Sequence, residues 1–175
     1  EESYLVAEIP RRVSKYEEAH PDQQIIRLGI GDVTKPLTKK AIAALHEAVD
    51  MQAVSETFKG YGPEKGYEFL RNAISAYYKR NGADVDPDTI FISDGAKSDT
   101  GNITDLFAKD NVVLVPDPVY PVYVDTNIMD GRKIVYINGT AENNFLPMPD
   151  PSIKADLIYL CSPNNPTGAC YDKEQ

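Results

Sequence analysis

The chain has 175 residues, enough for one domain that buries about 70% of the surface its unfolded form exposes. Eighteen Lys and Arg against 27 Asp and Glu leave a net charge of −9, which argues against a nucleic-acid partner, because phosphate-backbone binding rests on clustered cations. With 42% apolar and 26% charged residues, no signal-like opening and no apolar run near the roughly 18–20 residues that span a bilayer, the composition is that of a soluble, cytoplasmic globule with no membrane partner.

The first 24 residues mix charge with isolated apolar positions, and Arg11–Glu18 is expected as an exposed helical stretch. Gln24–Leu28 alternates β-branched residues ahead of Gly29 and Gly31, the pattern of a short strand entering a glycine turn. Pro36-Leu37-Thr38 opens a helix in which Ala41, Ile42, Leu45, Ala48 and Val49 recur at the spacing of a buried stripe. Gly60–Gly66 holds three Gly and one Pro, so a rigid, irregular loop is expected there. A helix over Tyr67–Asn81 comes next, with Leu70, Ala73, Ile74 and Tyr77 on one face and Gly82 placed to end it.

Beyond it strands and helices alternate. Strands are expected at Thr89–Ile92, Asn111–Val115, Lys133–Ile137 and Asp156–Cys161, and helices at Lys97–Ala108 and Val119–Met129. Short, continuously apolar strands between helices predict an α/β fold built on a mainly parallel sheet with helices on both faces. The change from irregular, charged sequence to this alternation divides the chain into residues 1–56, an arm and part of a small domain, and residues 57–175, an incomplete large domain. Two Cys (Cys161, Cys170) and two His (His20, His46) are too few for a disulfide framework or a Cys/His zinc site, and no metal is expected.

In such a sheet, ligands lie where loops leave the carboxyl ends of strands. Three segments fall there. Ser93-Asp94-Gly95-Ala96-Lys97 is a strand-to-helix turn in which Gly95 admits a ligand to free helix N–H groups, or else an ordinary turn into a capped helix whose Lys97 is solvated. Pro116-Asp117-Pro118-Val119-Tyr120-Pro121 sets an aromatic among prolines, suiting a ring that stacks on a planar ligand. Tyr120 and Tyr123 are equally open to reading as core aromatics, the better reading for Tyr123. Ser162-Pro163-Asn164-Asn165-Pro166-Thr167-Gly168 offers a side-chain amide between prolines, or only a tight turn. Glu64, in the Gly60–Gly66 loop, is either a solvated carboxylate or the reason for so stiff a loop.

In order and context, Gly95-Ala96-Lys97, Asp117-Pro118-Val119-Tyr120 and Asn164-Asn165-Pro166-Thr167-Gly168 resemble the class I/II aminotransferases. Adding Leu28-Gly29-Ile30-Gly31-Asp32 and Gly60-Tyr61-Gly62-Pro63-Glu64-Lys65-Gly66, nearly the whole chain is similar to the LL-diaminopimelate aminotransferase branch of that family. Ser98 departs from the Cys common after Gly-Ala-Lys there, a small-for-small change. The resemblance implies a fold type I large domain that binds pyridoxal phosphate and a homodimer with shared active sites. It also implies transamination between LL-2,6-diaminopimelate and 2-oxoglutarate in lysine biosynthesis.

Residue by residue, it implies that Ala96 and Lys97 contact the cofactor phosphate with Tyr61 nearby, that Tyr120 stacks on the pyridine ring, and that Asn165 hydrogen-bonds its phenolic oxygen. Lys97, Tyr120 and Asn165 also border the substrate. Gly31 lines its pocket near the α-carboxylate, while Tyr4, Tyr61 and Glu64 face the other subunit's site, Glu64 toward the distal end of the substrate. The family's Schiff-base lysine and carboxylate-gripping arginine come after the Asn-Pro-Thr-Gly segment, and neither is found before Gln175. Lys97, in the phosphate turn, is no substitute, so these 175 residues alone are expected to show no turnover. Two alternatives stand beside this reading: another class I aminotransferase acting on an aromatic or aliphatic amino acid, and a non-catalytic cofactor-binding or interaction module.

Overall fold

The computed structural model describes residues 5–29 and 31–175. The chain separates into two compact units, Glu1–Gly60 and Tyr61–Gln175.

In the first unit, helix α1 (Leu5–Ala19) starts before the expected Arg11 and runs through Pro10. Glu8 sits one turn ahead of Arg11 and Arg12 and accepts hydrogen bonds from both at 2.6–2.9 Å, which holds its carboxyl down at about 2. The strand expected over Gln24–Leu28 does not form: the segment is extended but unpaired, with Ile26 80% and Leu28 89% exposed. β-branched residues favour a pleated surface, but a strand exists only where a neighbour completes its ladder, and no described strand does so. Helix α2 (Lys39–Met51) begins where expected because the Thr38 hydroxyl accepts from Ala41 N at 3.2 Å. Its apolar stripe is not buried: Ile42, Leu45 and Val49 are exposed, since periodicity decides which face is apolar and not what covers it. No helix among the described residues is long and apolar enough to cross a membrane.

The second unit opens with the expected loop and helix α3 (Glu68–Arg80). Gly82, at φ +85°, ends that helix by letting Ala83 N reach back to Tyr78 O at 3.0 Å. Thr89–Ile92 is not a strand. Pro87–Thr89 forms a 3₁₀ turn, and Ile92 N spends its hydrogen on Lys65 O of the preceding loop at 3.0 Å. Helix α4 (Ala96–Asn102) is shorter than expected and passes into a 3₁₀ turn at Ile103–Leu106. The Thr104 hydroxyl donates to Gly101 O at 2.6 Å, a local bond that competes with the helical ladder.

Strand β1 (Val112–Asp117), helix α5 (Pro121–Met129), strand β2 (Lys133–Asn138) and the short strand β3 (Leu157–Ile158) complete the unit. The strand expected over Asp156–Cys161 is cut to its second and third residues, with Asp156 N and Tyr159 N on either side still donating to Val112 O and Leu114 O of β1 at 2.8 and 3.1 Å. The sheet order is β2-β1-β3, all parallel, with Val113 level with Ile134 on one side and Leu157 on the other. Being central, β1 carries the core: Val113, Leu114 and Val115 are at most 1% exposed. Helix α5 packs on β1 and β2 and against α4. The α/β class and the parallel sheet are therefore as expected from the strand–helix alternation.

The loop over residues 60–66 is held by the segment C-terminal to it. Lys65 Nζ donates to Asp88 O at 2.8 Å, and Arg71 donates to Gly66 O and Pro87 O at 3.2 and 2.9 Å. Gly66 has φ +93°, and a Cβ there would stand 2.4 Å from Ile92 Cγ1. Gly66→Ala is expected to destabilise by about 1–2 kcal/mol through backbone conformation alone. Adding Ile92→Ala removes the Cγ1 overlap but keeps Cβ, which would still stand 2.6 Å away, so the double variant should recover only part of any further steric loss, as urea titration of the two variants will show.

Candidate functional site

The loop leaving β1 enters α5 at Tyr120, whose backbone is still extended, and Pro121 takes the first helical position, where its missing N–H is not needed. The half-buried Tyr120 ring meets Tyr123 edge-on, with centroids 5.7 Å apart, and Tyr123 stacks on Tyr159 at 4.9 Å. Behind them the fully buried Asn127 donates through Nδ2 to Tyr123 O at 2.8 Å and to the Tyr159 hydroxyl at 3.2 Å. Burial, then the Cys161 thiol and the neighbouring phenols, push the Tyr123 phenol above its ordinary value, so it stays neutral and serves as a wall behind Tyr120.

The loop after β3 closes on itself. Asn164 N donates to Ala169 O at 2.8 Å, and Gly168 N donates to Asn164 O at 2.7 Å. The Asn164 side chain also donates through Nδ2 to Thr167 Oγ1 at 2.9 Å and, across 46 residues of sequence, to Pro118 O at 3.0 Å. Asn165 lies next to it at the rim, exposed. The second and third of the sequence-predicted segments are thus brought together, by a residue that sequence reasoning did not single out.

Ala96 and Lys97 are the first two residues of α4, both exposed. No side chain caps this helix, and the first helical bond is Asp99 N to Gly95 O at 3.2 Å, so the N–H groups of Ala96, Lys97 and Ser98 have no partner within the helix. Nothing lies within 4 Å of where a Cβ on Gly95 would stand, which leaves the approach open. The Lys97 ammonium has no partner among the described residues. Helix α4, which this turn opens, packs against α5, which Tyr120 precedes as its N-cap.

Tyr61 is fully exposed and is not brought to these groups. Glu64 occupies a turn closed by Gly66 N to Pro63 O at 2.9 Å, its carboxylate exposed. Gly31 lies exposed in the first unit, with open space where a Cβ would be. Tyr4 and Ile30 lie outside the described residues. Sequence reasoning also passed over Arg132, which is 6% exposed and donates to Ala108 O, Thr104 O and Phe107 O at 3.1, 2.6 and 2.8 Å. A lone Arg beside Gly131 carries no sequence mark of such burial; for Asn164, the doubled Asn between prolines was the available signal. No cluster of three or more His, Cys, Asp or Glu among the described residues is arranged to hold a metal.

Compared with known proteins, the chain matches the aminotransferase class I and II family model over residues 23–175. It is 55% identical to an LL-diaminopimelate aminotransferase of Desulfosudis oleivorans over 98% of this chain and 44% of that protein. Among solved structures, L,L-diaminopimelate aminotransferase from Chlamydomonas reinhardtii superposes with a TM-score of 0.78 at 40% identity, over 95% of this chain and 43% of that one. Alanine aminotransferase from Pyrococcus furiosus gives 0.82 at 28% identity, over 98% and 44%. The chain therefore spans less than half the length of the relatives it matches.

Proposed function

Since the chain belongs to the class I and II aminotransferases, we propose that the complete protein transfers an amino group between LL-2,6-diaminopimelate and 2-oxoglutarate, with pyridoxal phosphate as its cofactor, in cytoplasmic lysine biosynthesis. The observation that supports this reading is the bond from Asn164 to Pro118 O, which ties the loop carrying Asn165 to the loop that leads to the backed ring of Tyr120, beside an uncapped helix start bearing Lys97 on a helix packed against α5. The 55% identity to a diaminopimelate enzyme supports the choice of substrate.

These residues suit the cofactor's chemistry. A phosphate dianion wants the unpartnered N–H groups of Ala96 and its neighbours and the Lys97 ammonium. A planar ring wants the face of Tyr120, held from behind by Tyr123, and a phenolic oxygen wants the Asn165 amide. When bound, the group supplies the electron sink that makes breaking the Cα–H bond of an amino acid feasible. The protein's part is to hold that group and the substrate still and to exclude water, with Lys97, Tyr120 and Asn165 bordering the substrate as well. In this reading Gly31 leaves room near the α-carboxylate, Tyr4 and Tyr61 reach the site of the other subunit in a homodimer, and Glu64 meets the distal ammonium. Residues 1–56 supply the arm and part of the small domain, and residues 57–175 part of the cofactor-binding large domain.

The test is donor choice. The complete enzyme, supplied with pyridoxal phosphate and 2-oxoglutarate, is expected to form glutamate from LL-diaminopimelate at least tenfold faster than from alanine, aspartate or phenylalanine. Equal or faster transfer from any of the three would move the protein to another branch of the family.

A further inference from the structure

The geometry points to Asn164 as a positioning residue: it fixes the ring of Tyr120 and the amide of Asn165 relative to one another, and so sets how tightly and in what orientation the cofactor is held. The inference rests on the cofactor placement proposed above, in which Tyr120 and Asn165 touch the group and Asn164 does not.

Both hydrogens of the Asn164 amide are spent, one on Pro118 O and one on Thr167 Oγ1, at 3.0 and 2.9 Å. The first bond holds the chain two residues before Tyr120, and the second holds the loop two residues after Asn165. The amide cannot turn over, because its oxygen would then face the Pro118 carbonyl, acceptor against acceptor. Its own Oδ1 is buried and has no hydrogen-bond partner. Asn164 borders a cavity of about 10 Å³ shared with Pro116, Asp117, Phe145, Cys161 and Tyr171. An unmet buried acceptor is a standing cost, and an aliphatic side chain would fill the space without it. What an aliphatic side chain lacks is the pair of donors that links the two loops.

Loop stability and cofactor positioning are separable. Tyr171 serves as the comparison, since its hydroxyl donates to a backbone carbonyl of the same cavity wall, Pro147 O at 2.7 Å, and phenylalanine removes that bond while keeping the one from Tyr171 N to Ser162 Oγ at 3.1 Å. In the complete apoenzyme, Asn164→Asp puts a carboxylate against Pro118 O, and Asn164→Ala simply removes the donors. Pyridoxal phosphate titration is expected to show affinity reduced at least tenfold in Asn164→Asp, less in Asn164→Ala, and less than twofold in Tyr171→Phe. The visible circular dichroism per bound cofactor, which reports ring orientation, should fall in both Asn164 variants and stay unchanged in Tyr171→Phe. Wild-type affinity and dichroism in the Asn164 variants, or equal losses in Tyr171→Phe, would overturn the inference alone. A wild-type enzyme that binds no pyridoxal phosphate would overturn the functional reading and this inference with it.

Discussion

Arg132→Ala is expected to destabilise the second unit by about 1.5–3 kcal/mol, the range for hydrogen bonds made by a charged group. Arg132 is 6% exposed, and its guanidinium joins the end of the α4 region, through Thr104 O, Phe107 O and Ala108 O, to the turn that leads into β2. It also donates to Asp130 Oδ2 at 2.7 Å and, at 3.4 Å, to Asn127 Oδ1, the residue that braces Tyr123 and Tyr159. Alanine takes a donor from each of three carbonyls; Thr104 O keeps Phe107 N at 3.1 Å and Ala108 O keeps Asn111 N at 3.2 Å, so the loss falls mainly on Phe107 O and on the charge-assisted bonds themselves. Lysine has three donors on one atom and cannot span the set, so Arg132→Lys should recover only part of the loss.

The deficit should also depend on pH. The Thr104 side chain and the Arg132 guanidinium beside it hold the Asp130 carboxyl below its ordinary value. A depressed carboxyl adds stability above its unfolded value, near pH 3.9, and loses it as the pH falls through the folded one. The gap between wild type and Arg132→Ala should therefore narrow below about pH 4. Urea unfolding of the complete apoenzyme at pH 7 and at pH 3.5 measures both effects. A shift under about 0.5 kcal/mol at pH 7, the size expected of an ordinary surface change, would mean that the carbonyls find other donors.

Glu64→Gln should lower kcat/KM for LL-diaminopimelate by roughly 10- to 150-fold in the complete enzyme, corresponding to a charge-assisted contact of roughly 1.5–3 kcal/mol. Glu64 comes directly after Pro63 in a turn closed by backbone atoms, Gly66 N to Pro63 O, and anchored by Lys65 and Arg71. Glutamine keeps the shape and leaves those bonds intact, so the substitution removes charge and little else. Diaminopimelate carries a distal ammonium and glutamate does not. The half-reaction with glutamate should accordingly change by less than about threefold. Single-turnover measurements with each donor decide the matter, and equal losses would mean that Glu64 supports the loop without reading the substrate.

The sequence by itself determined those features whose cause is local. Thr38 starts α2 because its hydroxyl is one turn from a free N–H, and Gly82 ends α3 because it accepts a positive φ. Val112–Val115 forms the central strand because a continuous apolar run suits a strand with neighbours on both sides. The order of the three loop segments was legible for the same reason, since each comes after an apolar run or precedes a helical one.

Features that depend on partners were decided only in three dimensions. Ile25-Ile26 and Ile90-Phe91-Ile92 have strand-forming residues, yet no ladder completes them, and Ile92 bonds instead to the Lys65 carbonyl. The stripe of α2 is apolar in sequence and exposed as folded. Arg132 and Asn164 show the limit most clearly. Their importance lies in carbonyls 24 to 46 residues away, and no local pattern of side chains encodes which carbonyl a distant donor will meet.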